Sequence, residues 1–253
     1  MIRLGAGRNS WGVSRDRVSL LRKEIEARPL SVAARPQQIE FDRGTACLVV
    51  VDMQNDFCSA GGWLDGIGVD VSVTGAIAAN VNRLAAWARS MEMPVIWLNW
   101  GNRSDRANLP PNVLHVYNPD GAGKGIGDEL CGSGSRVLSE RSWSAALIDE
   151  IEVAEGDIQV SKYRMSGFFD TPFDSILRNL RVDTLFFAGV NVDQCVYATL
   201  VDAACLGYDV VLVEECTATT SPSFCADATI YNVAQCYGFV TSLAELEKGE
   251  ETA

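Results

Sequence analysis

The run ACLVVVD, from Ala46 to Asp52, constrains this 253-residue chain more than any other segment. Six consecutive apolar residues, three of them valines, suit a strand covered on both faces, and such strands belong to parallel sheets held between layers of helices. The later segments keep that rhythm. Ile77–Met91 places Ile77, Val81, Leu84, Ala85 and Ala88 at helical spacing, and Pro94–Leu98 reads as a second strand. Residues 99–141 are polar and rich in Gly and Pro, a long excursion of the kind that usually carries function. Trp143–Ile151 reads as a helix, Asp157–Lys162 as a third strand, Phe173–Leu180 as a helix and Thr184–Gly189 as a fourth strand. Gln194–Leu206 reads as a helix, Asp209–Val213 as a fifth strand, Ala226–Gln235 as a helix and Tyr237–Thr241 as a short sixth strand.

Strands that alternate with helices imply right-handed crossovers. The fold class is therefore α/β: a doubly wound, Rossmann-like parallel sheet of about six strands with helices on both faces. With no internal repeat and no linker, residues 45–253 are expected to form a single domain. Residues 1–44 read as an N-terminal arm, in which Val18–Ala27 has helical composition and Pro29 and Pro36 prevent that helix from continuing.

Charge narrows the partners. The net charge of −12 argues against nucleic acid and anionic membranes, because binding phosphate takes clustered Lys and Arg. Residues 1–35 nevertheless carry +5 and the remainder −17, so a basic arm precedes an acidic body. That arm is either a solvated surface segment or one that crosses onto a neighbouring subunit. No apolar run approaches the roughly 20 residues of a membrane helix, and the N-terminus lacks the apolar core of a secretory signal. Eight cysteines (47, 58, 131, 195, 205, 216, 225 and 236) form no Cys-x-x-Cys pair, and the only histidine is His115. A structural zinc site and a disulfide framework are not expected, and a cytoplasmic protein with reduced, buried thiols is.

Doubly wound sheets bind ligands at the carboxyl ends of their strands, where the strand order reverses. Asp52 closes the first strand, Lys162 closes the third, and Cys195 comes after the fourth at the start of a helix. A thiol there meets the positive end of the helix dipole, which favours the nucleophilic thiolate. Asp52 has the chemistry to take the thiol proton and return it to a leaving amine, and Lys162 to stabilise the anions. Singly, each has an ordinary structural explanation: a small buried residue for Cys195, a cap for Asp52, a solvated strand end for Lys162. Together at one sheet edge they point to catalysis. His115, in a Pro-flanked segment, reads as a loop residue and not as the base.

Three ordered segments carry a resemblance. VVVDMQNDFCSAGGWLD, VSKYRMSGFFDTPFDSIL and FFAGVNVDQCVYATLVDAACLGYDVVLVEECTA resemble the Asp, Lys and nucleophile motifs of the isochorismatase-like hydrolases, over about Ala46 to Thr241. The resemblance implies an Asp52–Lys162–Cys195 triad, a homo-oligomer (dimer or tetramer), and a cis peptide at Val190–Asn191 that turns the Asn191 and Cys195 N–H groups toward an oxyanion. The implied reaction is attack on an amide or ureide carbonyl, loss of ammonia or an amine, and hydrolysis of the thioester. Nicotinamidases of the family bind a metal through Asp-x-His, but LNWGNRSDR has no His, so neither metal nor cofactor is expected. Isochorismatase itself does not need the nucleophilic Cys.

Ureide hydrolases are the nearer likeness. RMSGFFDTPFDSILR is similar to ureidoacrylate amidohydrolases, whereas GAGKGIGDELCG and Gln235 are similar to biuret and triuret hydrolases, which read a terminal urea with Gln. The family pattern for biuret has a second Lys near Met165, which is missing here. A triuret-like linear ureide is therefore the first expectation, ureidoacrylate the alternative, and a non-catalytic relative or a hydrolase of another amide the remaining ones. Phe57, Phe168, Asn99 and Trp100 are further candidates for the substrate pocket, with core packing or solvation as their ordinary explanation.

Overall fold

The computed structural model describes residues 1–22, 26–130 and 134–251. At its centre is a six-stranded sheet: β1 (Ala46–Val51), β2 (Val95–Trp100), β3 (Ile158–Lys162), β4 (Thr184–Gly189), β5 (Asp209–Thr217) and β6 (Phe239–Thr241). The spatial order is β6-β5-β4-β1-β2-β3, and every pairing is parallel. All six residues of β1 and of β4 are buried, as the unbroken apolar runs require.

Helices cover both faces. The principal ones are α1 (Ala78–Ser90), α2 (Phe173–Leu180), α3 (Tyr197–Cys205) and α4 (Ser223–Asn232). α1 connects β1 to β2 in one direction along the sheet, and α3 connects β4 to β5 in the other. Right-handed crossovers therefore put these helices on opposite faces. The strand order reverses between β1 and β4, which opens a crevice beyond their carboxyl ends.

Three expectations are corrected. Trp143–Ile151 is not a helix. The carbonyls of Trp143, Ser144, Ala145 and Ala146 accept hydrogen bonds from residues 54–56, which consumes the acceptors a helix would need. Residues 1–44 are not irregular either. Ile2–Ala6, Asn9–Val13 and Val18–Ser19 form an antiparallel sheet, while Pro29–Val32 and Ile39–Asp42 form another with Glu250–Glu251. The second sheet belongs to the core: Leu30 and Val32 are buried, and the Phe41 ring meets Phe186 edge-on at 4.8 Å. The helix expected over Val18–Ala27 is, in its described part, the two-residue strand Val18–Ser19 and irregular chain; residues 23–25 and Cys131 lie outside the described residues.

Gly189 ends β4 beside β1 with φ +104°, and a Cβ there would lie 2.0 Å from the Val51 carbonyl oxygen. Both the backbone angle and the contact exclude a side chain. Gly189→Ala is expected to destabilise the protein by about 3 kcal/mol or more, as strain and a forced shift of a central strand do. An unchanged midpoint in urea unfolding would refute this.

Candidate active site

Asp52, Lys162 and Cys195 meet in the crevice. Lys162 Nζ donates to Asp52 Oδ2 at 2.8 Å, with the two side chains 0% and 1% exposed. β3 lies two strand spacings from β1, roughly 10 Å, and the Lys162 stem bridges that gap. On the way its ammonium lies 4.5 Å from the centroid of the Trp100 ring, a cation–π contact. Asp52 itself has φ 52°, a left-handed conformation that is costly for a residue other than Gly and characteristic of functional sites. Its other oxygen, Oδ1, is buried and unpartnered. The Cys195 thiol is close enough to Asp52 and Lys162 for each to move its pKa.

Cys195 does not sit in a regular first helical turn. Val192–Val196 form a π-helical turn that leads into α3, and the Val196 N–H reaches back to the Asn191 carbonyl at 3.3 Å. Such turns recur at functional sites. The Val190–Asn191 peptide is cis. Asn191 is buried, and its Oδ1 accepts from the Thr220 N–H at 3.1 Å. Thr199 Oγ1 donates to the Cys195 carbonyl at 2.7 Å and accepts from the Gly167 N–H at 3.1 Å, which joins the Cys195 turn to the loop after β3.

The charge state corrects the expectation of a thiolate. Burial pushes the Cys195 thiol up to about 12, although Lys162 pulls the other way. Burial likewise raises Asp52, against the opposing pull of Lys162. Burial alone would lower Lys162, but the charge and hydrogen bond of its partner Asp52 outweigh it and hold the ammonium above its ordinary value. Cys195 is thus held as a thiol and Lys162 as an ammonium. The unpartnered Oδ1 is the available acceptor for the thiol proton.

Residues outside the predicted triad build this site. Gln54 ties it to β2: its Nε2 donates to the Trp100 carbonyl (2.7 Å) and the Ala145 carbonyl (2.6 Å), and its Oε1 accepts from the Trp100 N–H (2.7 Å). Asp56 is buried, and its two oxygens accept from the N–H groups of Trp63 (3.0 Å) and Leu138 (2.7 Å), which pins down the 99–141 excursion. Gln194, next to Cys195, donates to Tyr117 Oη at 2.7 Å, and Tyr117 packs edge-on against Trp63 at 5.7 Å. Met165 Sδ is 3.8 Å from Cys195 Sγ. Spacing in the motif Asp-x-Gln-x-Asp could have pointed to Gln54 and Asp56; nothing local marks Tyr117 or Met165.

The remaining candidates fall in different places. Trp100 lies against Lys162, and its indole Nε1 is buried and unpartnered. Asn99 lines a cavity of about 350 Å³ together with Trp100, Gly101, Glu140 and Ser161. Phe57 is buried against Trp63. Phe168 packs on Phe173 and Tyr208. Gln235 is exposed in the π-helical turn Val233–Tyr237. His115 is exposed, its Nε2 3.1 Å from the Pro119 carbonyl. No three His, Cys, Asp or Glu side chains come together as a metal site among the described residues.

A doubly wound α/β sheet with a buried Asp–Lys–Cys group at its switch point defines the class of protein. The chain matches the Isochorismatase domain family over residues 46–245. It is 36% identical over 220 residues to ureidoacrylate amidohydrolase RutB of Klebsiella pneumoniae (strain 342), an alignment covering 85% of this chain and 90% of that one. Two solved structures are similar in fold. One is a cysteine hydrolase from Pseudomonas syringae pv. phaseolicola 1448A, with TM-score 0.69 and 23% identity over 82% of this chain and 93% of that one. The other is an isochorismatase family protein from Desulfovibrio vulgaris subsp. vulgaris str. Hildenborough, with TM-score 0.65 and 26% identity over 81% and 97%. The chain belongs to the isochorismatase family, as its three motifs imply.

A buried thiol with its pKa near 12 is a poor target for alkylation. At pH 7.5 iodoacetamide is expected to modify the exposed Cys205 and Cys236 well before Cys195. Peptide mapping that finds Cys195 labelled first would show that the resting group is a thiolate after all.

Proposed function

We propose that the protein is a cysteine-dependent amidohydrolase that cleaves a C–N bond of a small linear ureide of the ureidoacrylate type. The observation that carries this reading is the buried Asp52–Lys162 pair with an unpartnered Asp52 Oδ1 beside the Cys195 thiol. That arrangement suits a general base, a fixed cation and a nucleophile. The 36% identical relative supports a ureidoacrylate-type substrate over the triuret or biuret type, and Gln235, which a urea-reading role would bring into the pocket, is solvent-exposed.

In this reaction Cys195 Sγ attacks the ureide carbonyl carbon while Asp52 takes the thiol proton. The carbonyl oxygen becomes an oxyanion, received by the Asn191 and Cys195 N–H groups. The C–N bond then breaks, Asp52 returns the proton to the departing nitrogen, and ammonia or an amine leaves. Water, deprotonated by Asp52, hydrolyses the thioester and restores the thiol. Lys162 keeps its charge throughout and stabilises each anion. The Trp100 indole N–H is a free donor for a substrate carbonyl. No step calls for a metal or cofactor. The family resemblance and the exposed apolar surfaces also support a homo-oligomer, dimer or tetramer.

Ammonia release is the direct test, with ureidoacrylate, biuret and triuret offered side by side. Turnover of ureidoacrylate well above that of the other two is expected. Cys195→Ala is expected to lower kcat/KM by roughly 10³-fold or more, with Asp52→Asn nearly as damaging. Substantial turnover by Cys195→Ala would remove the nucleophile from the mechanism, and fast release from triuret alone would move the substrate to the other branch.

The same group sets the pH profile. Asp52 must be ionised to act as base, and burial raises its pKa. The acid limb of kcat/KM is therefore expected above the ordinary Asp value of about 3.9, with activity rising as pH rises through it. Lys162 is held above its ordinary value, so its loss of charge lies beyond about pH 10.5. An acid limb at or below pH 3.9 would contradict the role given to Asp52.

A further inference from the structure

The first 22 residues precede the family match, which begins at residue 46. They form the three-stranded sheet Ile2–Ala6, Asn9–Val13 and Val18–Ser19, whose two faces differ. In its register Ile2 stands opposite Val13, Leu4 opposite Trp11, and Val13 opposite Val18. Directly opposed residues share a face, so Ile2, Leu4, Trp11, Val13 and Val18 form one apolar surface. The other face holds Arg3, whose Nε donates to the buried Ser10 at 3.0 Å. Asn9 Nδ2 donates to the Asn179 carbonyl at 3.0 Å, and Arg8 pairs with Asp42, which anchors the sheet to the body. The apolar face is open: Ile2 is 72%, Leu4 60% and Val18 50% exposed. A contiguous open apolar face on a folded element marks an interaction surface.

We propose that this face docks onto a second copy of the chain, against the acidic strip at residues 149–155. Charge selects the occupant. Residues 1–22 carry five arginines (Arg3, Arg8, Arg15, Arg17 and Arg22) against the single acid Asp16, and the rest of the chain carries −16. The strip exposes Asp149, Glu150, Glu152 and Glu155 around the exposed Val153. Arg89, which bonds the Glu152 carbonyl, pairs with Asp157, and among the described residues no ion pair engages those carboxylates. Arg3 lies on the other face and Arg8 is paired, but Arg22 over the Trp11 ring at 5.5 Å, with the exposed Arg15 and Arg17, places positive charge beside the apolar face, and this meets an acidic rim around an apolar residue, the complementarity that steers and orients association. An anionic bilayer would attract the same sheet but repel the body behind it.

The test is the mass in solution, measured by sedimentation velocity, of the full-length protein and two double variants. Wild type is expected at a multiple of 27.4 kDa. Leu4→Lys with Trp11→Lys on the sheet, and Glu152→Lys with Glu155→Lys on the strip, are each expected to lower that mass by at least half, with hydrolytic activity per chain retained. Should the sheet variant misfold, the strip variant decides alone. A monomeric wild type, or a strip variant of unchanged mass, overturns the proposal. So does flotation of wild type with phosphatidylserine vesicles that is lost in the sheet variant while its mass is unchanged; that result would assign the face to a membrane.

Discussion

A lysine and an aspartate removed from water form the constraint around which this structure is arranged. Taking either charge out of water alone costs several kcal/mol, and their attraction offsets that only when the geometry is tight and the surroundings exclude competing water. Here the contact is 2.8 Å, and both side chains are buried. The sheet supplies the separation, the Trp100 ring supplies a polarisable surface along the Lys162 stem, and Gln54 fixes the Trp100 backbone on both its donor and its acceptor side. Asp56 then draws the 99–141 excursion over the crevice through the Leu138 N–H. In the motif Asp52-x-Gln54-x-Asp56, Gln54 and Asp56 therefore build the walls around the residue proposed as the base.

That division explains which parts of the fold could be read in advance. β1 and β4 are legible because strands buried on both faces can contain little but apolar residues. The helices α1 and α2 are legible because they bury one face. Trp143–Ile151 misleads because its composition is helical while its carbonyls serve the turn at residues 54–56, a demand that arises about 90 residues away. The N-terminal sheets mislead for another reason: their strands are short, and Leu30, Val32 and Phe41 become core only by packing on a sheet built later in the chain.

The site divides along the same line. Asp52, Lys162 and Cys195 could be placed because strand ends in a doubly wound sheet converge on one crevice. Met165 and Tyr117 could not, because loop closure brings them to Cys195 and to its neighbour Gln194. Of the two candidates at the end of β2, Asn99 and Trp100, Trp100 is the one that lies against Lys162. The thiolate expectation weighed the helix N-terminus, worth about 0.3–1 kcal/mol to an anion, but not burial, which pushes the Cys195 thiol up to about 12. Burial outweighs the dipole.

A protonated nucleophile suits the chemistry proposed for it. With a thiol, an ammonium and the Asp52 carboxylate that the proposed mechanism requires, the reacting group is neutral. As sulfur attacks, the thiol proton moves to Asp52, and the negative charge leaves the carboxylate and reappears on the carbonyl oxygen. The net charge of the buried site stays constant, and Lys162 faces one anion before the step and one after it. A free thiolate beside an ionised Asp52 would add a second negative charge to a low-dielectric cavity that holds one cation, at a cost that like-charge pairs in proteins avoid. Coupling proton transfer to attack removes that cost, so a high resting pKa at Cys195 is compatible with fast turnover of a neutral ureide carbonyl.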